Sequence, residues 1–166
     1  MAPAVSRPAL FNSLLETGIR AVVVLDAIYP RAFSVTQIAW FDHLVVHTED
    51  IAGPPSLHPD VPQRSGELLV RRRLVEDSLT LMRRLRLVEL EPDQHAGILY
   101  RASGDASGIV EHLQTDYALQ LRECAEWLAK EICARTPEAF EALVAERIGR
   151  WRIEFQGLDA RPESYP

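Results

Sequence analysis

RSGELLVRRRLVEDSLTLMRRL, residues 64–85, is the stretch that decides how the rest of the chain is read. At 100° per residue, Leu68, Val70, Leu74, Val75, Leu79, Leu81, Met82 and Leu85 fill one broad half of a helix. Arg72, Arg73, Glu76, Asp77, Thr80, Arg83 and Arg84 fill the other. Ser65 stands where an N-cap belongs, since its hydroxyl can accept from a free amide of the first turn. Arg71 breaks the pattern because its direction falls inside the apolar arc. Either its stem carries the guanidinium out to water near the helix start, or it anchors a buried ion pair or an interface.

Downstream, residues 87–91 alternate apolar and acidic side chains, and residues 98–101 answer them across residues 92–97. That pattern predicts a hairpin with a six-residue turn. A helix with one buried face and an arginine-rich outer face, running into a hairpin, is the outline of a winged helix. Such a domain binds nucleic acid or protein. The tip, PDQHAG, carries no arginine or lysine, where a DNA-binding wing would present them.

Upstream, residues 49–63 contain Gly53 and four prolines, Pro54, Pro55, Pro59 and Pro62. Proline fixes φ and removes an amide donor, so this stretch is expected to be an ordered, non-regular loop. It is also far longer than the three- or four-residue turn of a DNA-reading helix-turn-helix. Ser34 to Gln37 is a capping box opening a helix through about His47, and Ser13 to Glu16 opens an earlier helix through about Tyr29. The earlier helix is apolar nearly all round from Ala21 to Ile28 and stops at Pro30, which predicts a central, buried element. Asp26, its one charged residue there, is expected to face solvent or cap a neighbouring turn.

After the hairpin the chain reads as helical. A short segment covers residues 107–113, and residues 116–134 put Tyr117, Leu121, Cys124, Leu128 and Ile132 on one face. Thr136, Pro137 and Glu138 mark a last helix start, followed by a stripe of Phe140, Leu143, Val144, Ile148, Trp151 and Phe155. The expected architecture is mainly α with a small β-hairpin: a winged-helix-like core plus a C-terminal helical hairpin. Its division is an N-terminal arm at 1–10, a winged-helix-like domain at 11–103, a helical extension at 104–156 and a flexible tail at 157–166.

With 166 residues, 47% of them hydrophobic, the chain can bury a real core. No apolar run approaches the roughly 18 residues of a membrane span, and no secretory signal is visible, so the expected location is the cytoplasm. Cys124 and Cys133 lie roughly 13 Å apart along one helix and cannot pair with each other; both read as small buried hydrophobes. The net charge is −6, yet seven arginines between residues 64 and 86 face only Glu67, Glu76 and Asp77, a local +4 that leaves −10 elsewhere. An acidic body with one basic helix is no general nucleic-acid coat.

Chemistry is sparse. The glycines are scattered, no serine or cysteine has a nucleophile setting, and His43 and His47 lack the further ligands a metal would need. The expectation is no catalytic residue, no metal and no cofactor.

Four stretches carry a resemblance: LFNSLLETGIRAVVVLDAIYP (10–30), DHLVVHTED (42–50), GPPSLHPDVPQRSGELLVRRRLVEDSLTLM (53–82) and LQTDYALQLRECAEWLA (113–129). In this order and spacing they resemble the middle component of bacterial ABC-three-component systems. MRRLRLVEL, at the helix-to-hairpin junction, is where this chain departs from the pattern. The resemblance implies a small non-enzymatic subunit working beside an ABC-type ATPase of the chromosome-maintenance (SMC) kind and an effector component. It implies a setting in Lamassu-related conflict systems that act against phage or plasmids. Docking on the ATPase would use the proline loop, with Pro54, Pro55 and His58, and the face of Arg64, Arg71, Arg72, Arg73, Arg83 and Arg84. DNA could be contacted through the complex, and a homodimer is compatible with the last two helices. The rival reading is a winged-helix transcription regulator that reads DNA with the same helix.

Overall fold

The computed structural model describes residues 13–59 and 64–148, and the side chains of 13–59 and 71–146. The expected arm and tail, the side chains of Arg64, Ser65, Leu68 and Val70, and Trp151 and Phe155 lie outside the described residues.

Helix α1 (Leu14–Ala27) opens on the expected capping box: Glu16 N donates to Ser13 Oγ at 3.1 Å and Ser13 N to Glu16 Oε2 at 3.5 Å. Ala21 to Leu25 are all buried, so this helix has no solvent face along that stretch, and Asp26 after it is partly exposed. It accordingly lies at the centre, with the later helices and the hairpin packed around it. Phe33 then pairs with Tyr100 in a single antiparallel bridge, with N–O distances of 2.9 and 2.8 Å.

Helix α2 (Val35–Leu44) opens on the second capping box, with Gln37 N donating to Ser34 Oγ at 3.3 Å. It ends at Leu44, short of His47 where the apolar spacing had placed its end. The apolar run of Val45 and Val46 continues into a turn and a 3-10 turn over Thr48–Ile51, because burial of these side chains does not require helical backbone.

Helix α3 (Arg64–Arg84) already includes Arg64, which puts Ser65 in its first turn and not at the cap. Its buried stripe is Arg71, Val75, Ser78, Leu79 and Met82. Leu74 and Leu81 are only half-buried, and Leu85, expected on the core face, is 51% exposed. The helix stops there: Leu87 N donates to Met82 O at 2.9 Å and Arg86 N to Arg83 O at 3.0 Å. Arg86 sits at φ 60° in the left-handed position that closes such a turn. At Gly18, where α1 meets α3, a Cβ would approach Met82 Cε to 2.6 Å. Glycine is needed there for proximity.

Strands β1 (Val88–Asp93) and β2 (Gly97–Ala102) pair antiparallel from Val88↔Ala102 to Asp93↔Gly97. The turn is therefore three residues, Gln94 to Ala96, and not six. Pro92 is tolerated inside β1 because that strand is an edge, with no neighbour on its outer side to receive an amide. Asp93 Oδ1 accepts from the amides of His95 and Ala96, both at 2.8 Å, and Gly97 takes φ 79°.

Helices α4 (Ala106–Glu111), α5 (Asp116–Cys133) and α6 (Pro137–Ile148) complete the described residues. Thr115 and Thr136 cap the last two through their hydroxyls, accepting from Ala118 N at 3.1 Å and Ala139 N at 3.2 Å. Leu121, Cys124, Leu128 and Ile132 of α5, and Phe140 and Val144 of α6, belong to the same hydrophobic core as α1 to α3. Phe41 meets Phe33 and Phe140 edge-on, with centroids at 4.9 and 5.9 Å. Each such fully buried large side chain contributes about 1.5–3 kcal/mol relative to exposure. Cys133 is exposed, against the expectation that both cysteines are buried: it follows Ile132, the last buried residue of the α5 stripe.

Candidate interaction surface and the charge cluster beneath it

Asp42 sits in α2 among apolar neighbours with its side chain fully buried. A buried carboxylate needs counter-charge and hydrogen bonds, and two helices supply them. From α1, Arg20 Nε donates to Oδ1 at 2.8 Å and Arg20 Nη2 to Oδ2 at 3.4 Å. From α3, Arg71 Nη1 donates to Oδ2 at 2.7 Å. Burial alone would push the Asp42 carboxyl up; the two guanidiniums outweigh it and hold it below the ordinary value. Burial likewise acts to lower the Arg20 guanidinium, and Asp42 more than reverses that. Of the two roles open to Arg71, the structure realises the buried ion pair, at 7% exposure.

A histidine row extends this cluster to the proline loop. His43 Nε2 lies 2.9 Å from Asp50 Oδ2, and the His43 and His47 rings stack with centroids at 4.3 Å. His47 meets the His58 ring edge-on at 6.1 Å, and His58 Nε2 lies 2.8 Å from the Tyr117 hydroxyl on α5. Burial, reinforced by His43 and Arg71, lowers His47 to about 4. Burial, reinforced by Arg20 and Arg71, lowers His58 to about 4 as well. Both are neutral at pH 7: His47 packs between its two neighbouring rings, and His58 bonds to Tyr117. Among the described residues no three histidine, cysteine or carboxylate side chains are grouped so as to hold a metal ion.

The loop itself is knitted internally. Thr48 Oγ1 donates to Pro54 O at 2.6 Å, Gly53 N to Thr48 O at 2.9 Å, Glu49 N to Ser56 Oγ at 3.2 Å and His58 N to Val46 O at 3.1 Å. At Gly53 a Cβ would stand 2.5 Å from the Trp127 ring and 2.8 Å from Thr48 O, so the loop can lie this close to α5 only with glycine. Pro55 is exposed, Pro54 half-buried, and the His58 ring points to Tyr117.

The remaining candidates divide along α3. Arg72 is half-buried, its Nε 3.4 Å from Thr36 Oγ1, while Arg73, Arg83 and Arg84 are exposed. Arg73 and Arg84 are eleven positions apart, which returns them to one face about 16 Å apart. Arg86, also exposed, extends that surface beyond the helix and escaped the helical projection because it lies past the last turn. Arg20 and Asp42 were missed too. Their signal was a charge embedded in an otherwise apolar helical run, the same signal that singled out Arg71.

A buried charge cluster thus ties α1, α2 and α3, and the outer face of α3 carries exposed arginines. No curated protein and no solved structure matches the chain. The family model for the ABC-three component (ABC-3C) system Middle Component 2 matches residues 10–154. The chain belongs to that family, as a component that works with the others of its system. No helix among the described residues is long and apolar enough to cross a membrane.

Proposed function

We infer that this chain is a non-catalytic, cytoplasmic interaction subunit that docks on the ABC/SMC-type ATPase of its system, in a Lamassu-related defence against phage or plasmids. The observation that carries the reading is the surface formed by Arg73, Arg83, Arg84 and Arg86, set on and just beyond a helix that Arg71 ties to the core. Arginine supplies planar, multi-donor contacts to carboxylates, and a helix already fixed in place loses little entropy on docking. Arg86 supports it further. Its guanidinium is exposed just past the helix end, where the left-handed backbone turns the chain toward the hairpin. The internally bonded proline loop is a second preformed contact, presented through Pro54 and Pro55.

The test is Arg73→Glu with Arg84→Glu in the tagged full-length chain, co-expressed with the components encoded beside it. Loss of the ATPase from the purified complex with an unchanged melting curve supports the reading; full retention removes this face.

A second reading, DNA contact, is favoured by the element order. Helix, single bridged residue, two helices and a hairpin follow one another as in a winged helix. Arginine–phosphate contacts would make affinity fall with salt at a log–log slope of about −0.9 per phosphate. A salt-independent interaction, or none at about 50 mM salt, contradicts it.

A further inference from the structure

A cavity of about 220 Å³ lies where the 31–33 segment, α2, the hairpin and the junction of α5 with α6 meet. Phe33, Phe41, Leu99, Ile132 and Phe140 make its walls mainly apolar, and no aspartate or glutamate lines it. Its polar lining consists of donors. Arg31, Gln37 and Trp40 line it too, and each holds side-chain N–H groups that lack a matching acceptor.

Trp40 is 7% exposed, and its buried Nε1 has no hydrogen-bond partner among the described residues. Leaving such a donor unpaired costs about 1–3 kcal/mol, so a fold that keeps one calls for a reason. Gln37 is oriented by the capping box: its Oε1 accepts from Ser34 N at 3.0 Å, which leaves the amide nitrogen as the free end. Arg31, half-buried, holds its guanidinium 5.3 Å from the Phe33 ring centre. Its Nη1 donates to Cys133 Sγ, a weak acceptor, at 3.7 Å, and no carboxylate pairs with it among the described residues. A cation, an amide and an indole thus face one apolar cavity with nothing negative to meet them.

We propose that this cavity binds the carboxylate of a small apolar acid whose body is an aromatic ring or a branched chain. The Arg31 fork can give two parallel N–H bonds to a carboxylate, and a carboxylate has about four lone-pair sites with which to take up Gln37 and Trp40 as well. An inorganic anion would satisfy the donors but would leave the phenylalanine walls unfilled. The volume falls below the range of about 300–1,000 Å³ usual for drug-sized ligands, which limits the body to a single ring or short branch. This site is separate from the arginine face of α3 and does not depend on the docking reading.

The experiment labels the full-length chain with 15N and titrates it with phenylacetate and isovalerate, and with their neutral counterparts phenylacetamide and isovaleramide. The chain has three tryptophans, and Trp127→Phe and Trp151→Phe identify the other two indole signals, so the third belongs to Trp40. That signal should move and saturate with at least one of the two acids. The acid should bind about tenfold more tightly than its amide, and Arg31→Met should abolish that preference with an unchanged melting curve. Arg73→Glu with Arg84→Glu should leave the titration as it is. A Trp40 signal that stays in place at millimolar concentrations of both acids overturns the proposal. Equal affinity for acid and amide, or a preference that survives Arg31→Met, does the same.

Discussion

The two ends of α3 hold the same residue type in opposite states. Arg71, near its start, is 7% exposed and bonded to a carboxylate of another helix. Arg83 and Arg84, at its end, are exposed, and Arg86 follows just beyond. The difference lies in what each side chain faces, since sequence gives all of them the same chemistry. Arg71 points into the junction of three helices, which leaves no water for a charge, whereas Arg73, two residues on, faces outward as Arg83 and Arg84 do. One arginine thus specifies how α1, α2 and α3 meet, and the others are left for a partner.

The comparison breaks most severely at Asp42. Asp42→Ala leaves Arg20 and Arg71 buried without their shared counter-ion and should cost on the order of 3–5 kcal/mol, read as a shift of the urea midpoint. Arg71→Met, which leaves Arg20 in place on Asp42, should cost less, about 2 kcal/mol. Losses that add in the double variant Asp42→Ala with Arg71→Met would mean that the groups do not act as one knot.

Acid should attack the same region. His47 and His58 stand near 4 in the folded chain and titrate near 6.5 when unfolded. Below about pH 6.5 the unfolded chain takes up protons that the folded chain refuses, so stability is full above that pH and falls as pH drops toward 4, by on the order of 2 kcal/mol per ring. Asp26, whose carboxyl burial raises, works weakly in the other direction. Denaturation midpoints at pH 7 and pH 5 measure the sum, and His47→Gln with His58→Gln should flatten the profile. Gly53→Ala, which drives a methyl into Trp127 and Thr48 O, should cost about 1–3 kcal/mol.

At the exposed end the expected effects on stability are small or favourable. Arg86→Gly relieves the left-handed backbone and should stabilise by about 0.5–1 kcal/mol in thermal melts, while weakening the ATPase complex. A stability gain with no loss of binding would take Arg86 out of the interaction surface.

Local structure was legible wherever a few adjacent residues decide it. Ser13–Glu16 and Ser34–Gln37 form the capping boxes their spacing predicts, and Thr136 caps where expected. Ends set by tertiary packing were less so: apolar Val45 and Val46 extended α2 on paper, and the side chain of Asp93 tightened a hairpin turn that Pro92 had seemed to lengthen. The charge cluster was half visible. Arg71 stood out on the apolar arc, but its partner lies 29 positions away, a separation that no periodicity encodes. The exposed arginines were legible because a helical projection suffices to place them. What they touch is a property of another chain.

The central claim, that the exposed arginine face of α3 is the docking surface, is tested most directly by size-exclusion chromatography of the full-length chain co-expressed with its neighbouring components. The account predicts that the unaltered chain co-elutes with the ATPase and that Arg73→Glu with Arg84→Glu elutes alone, folded, at its own size. Co-elution of that double variant at wild-type yield would contradict it.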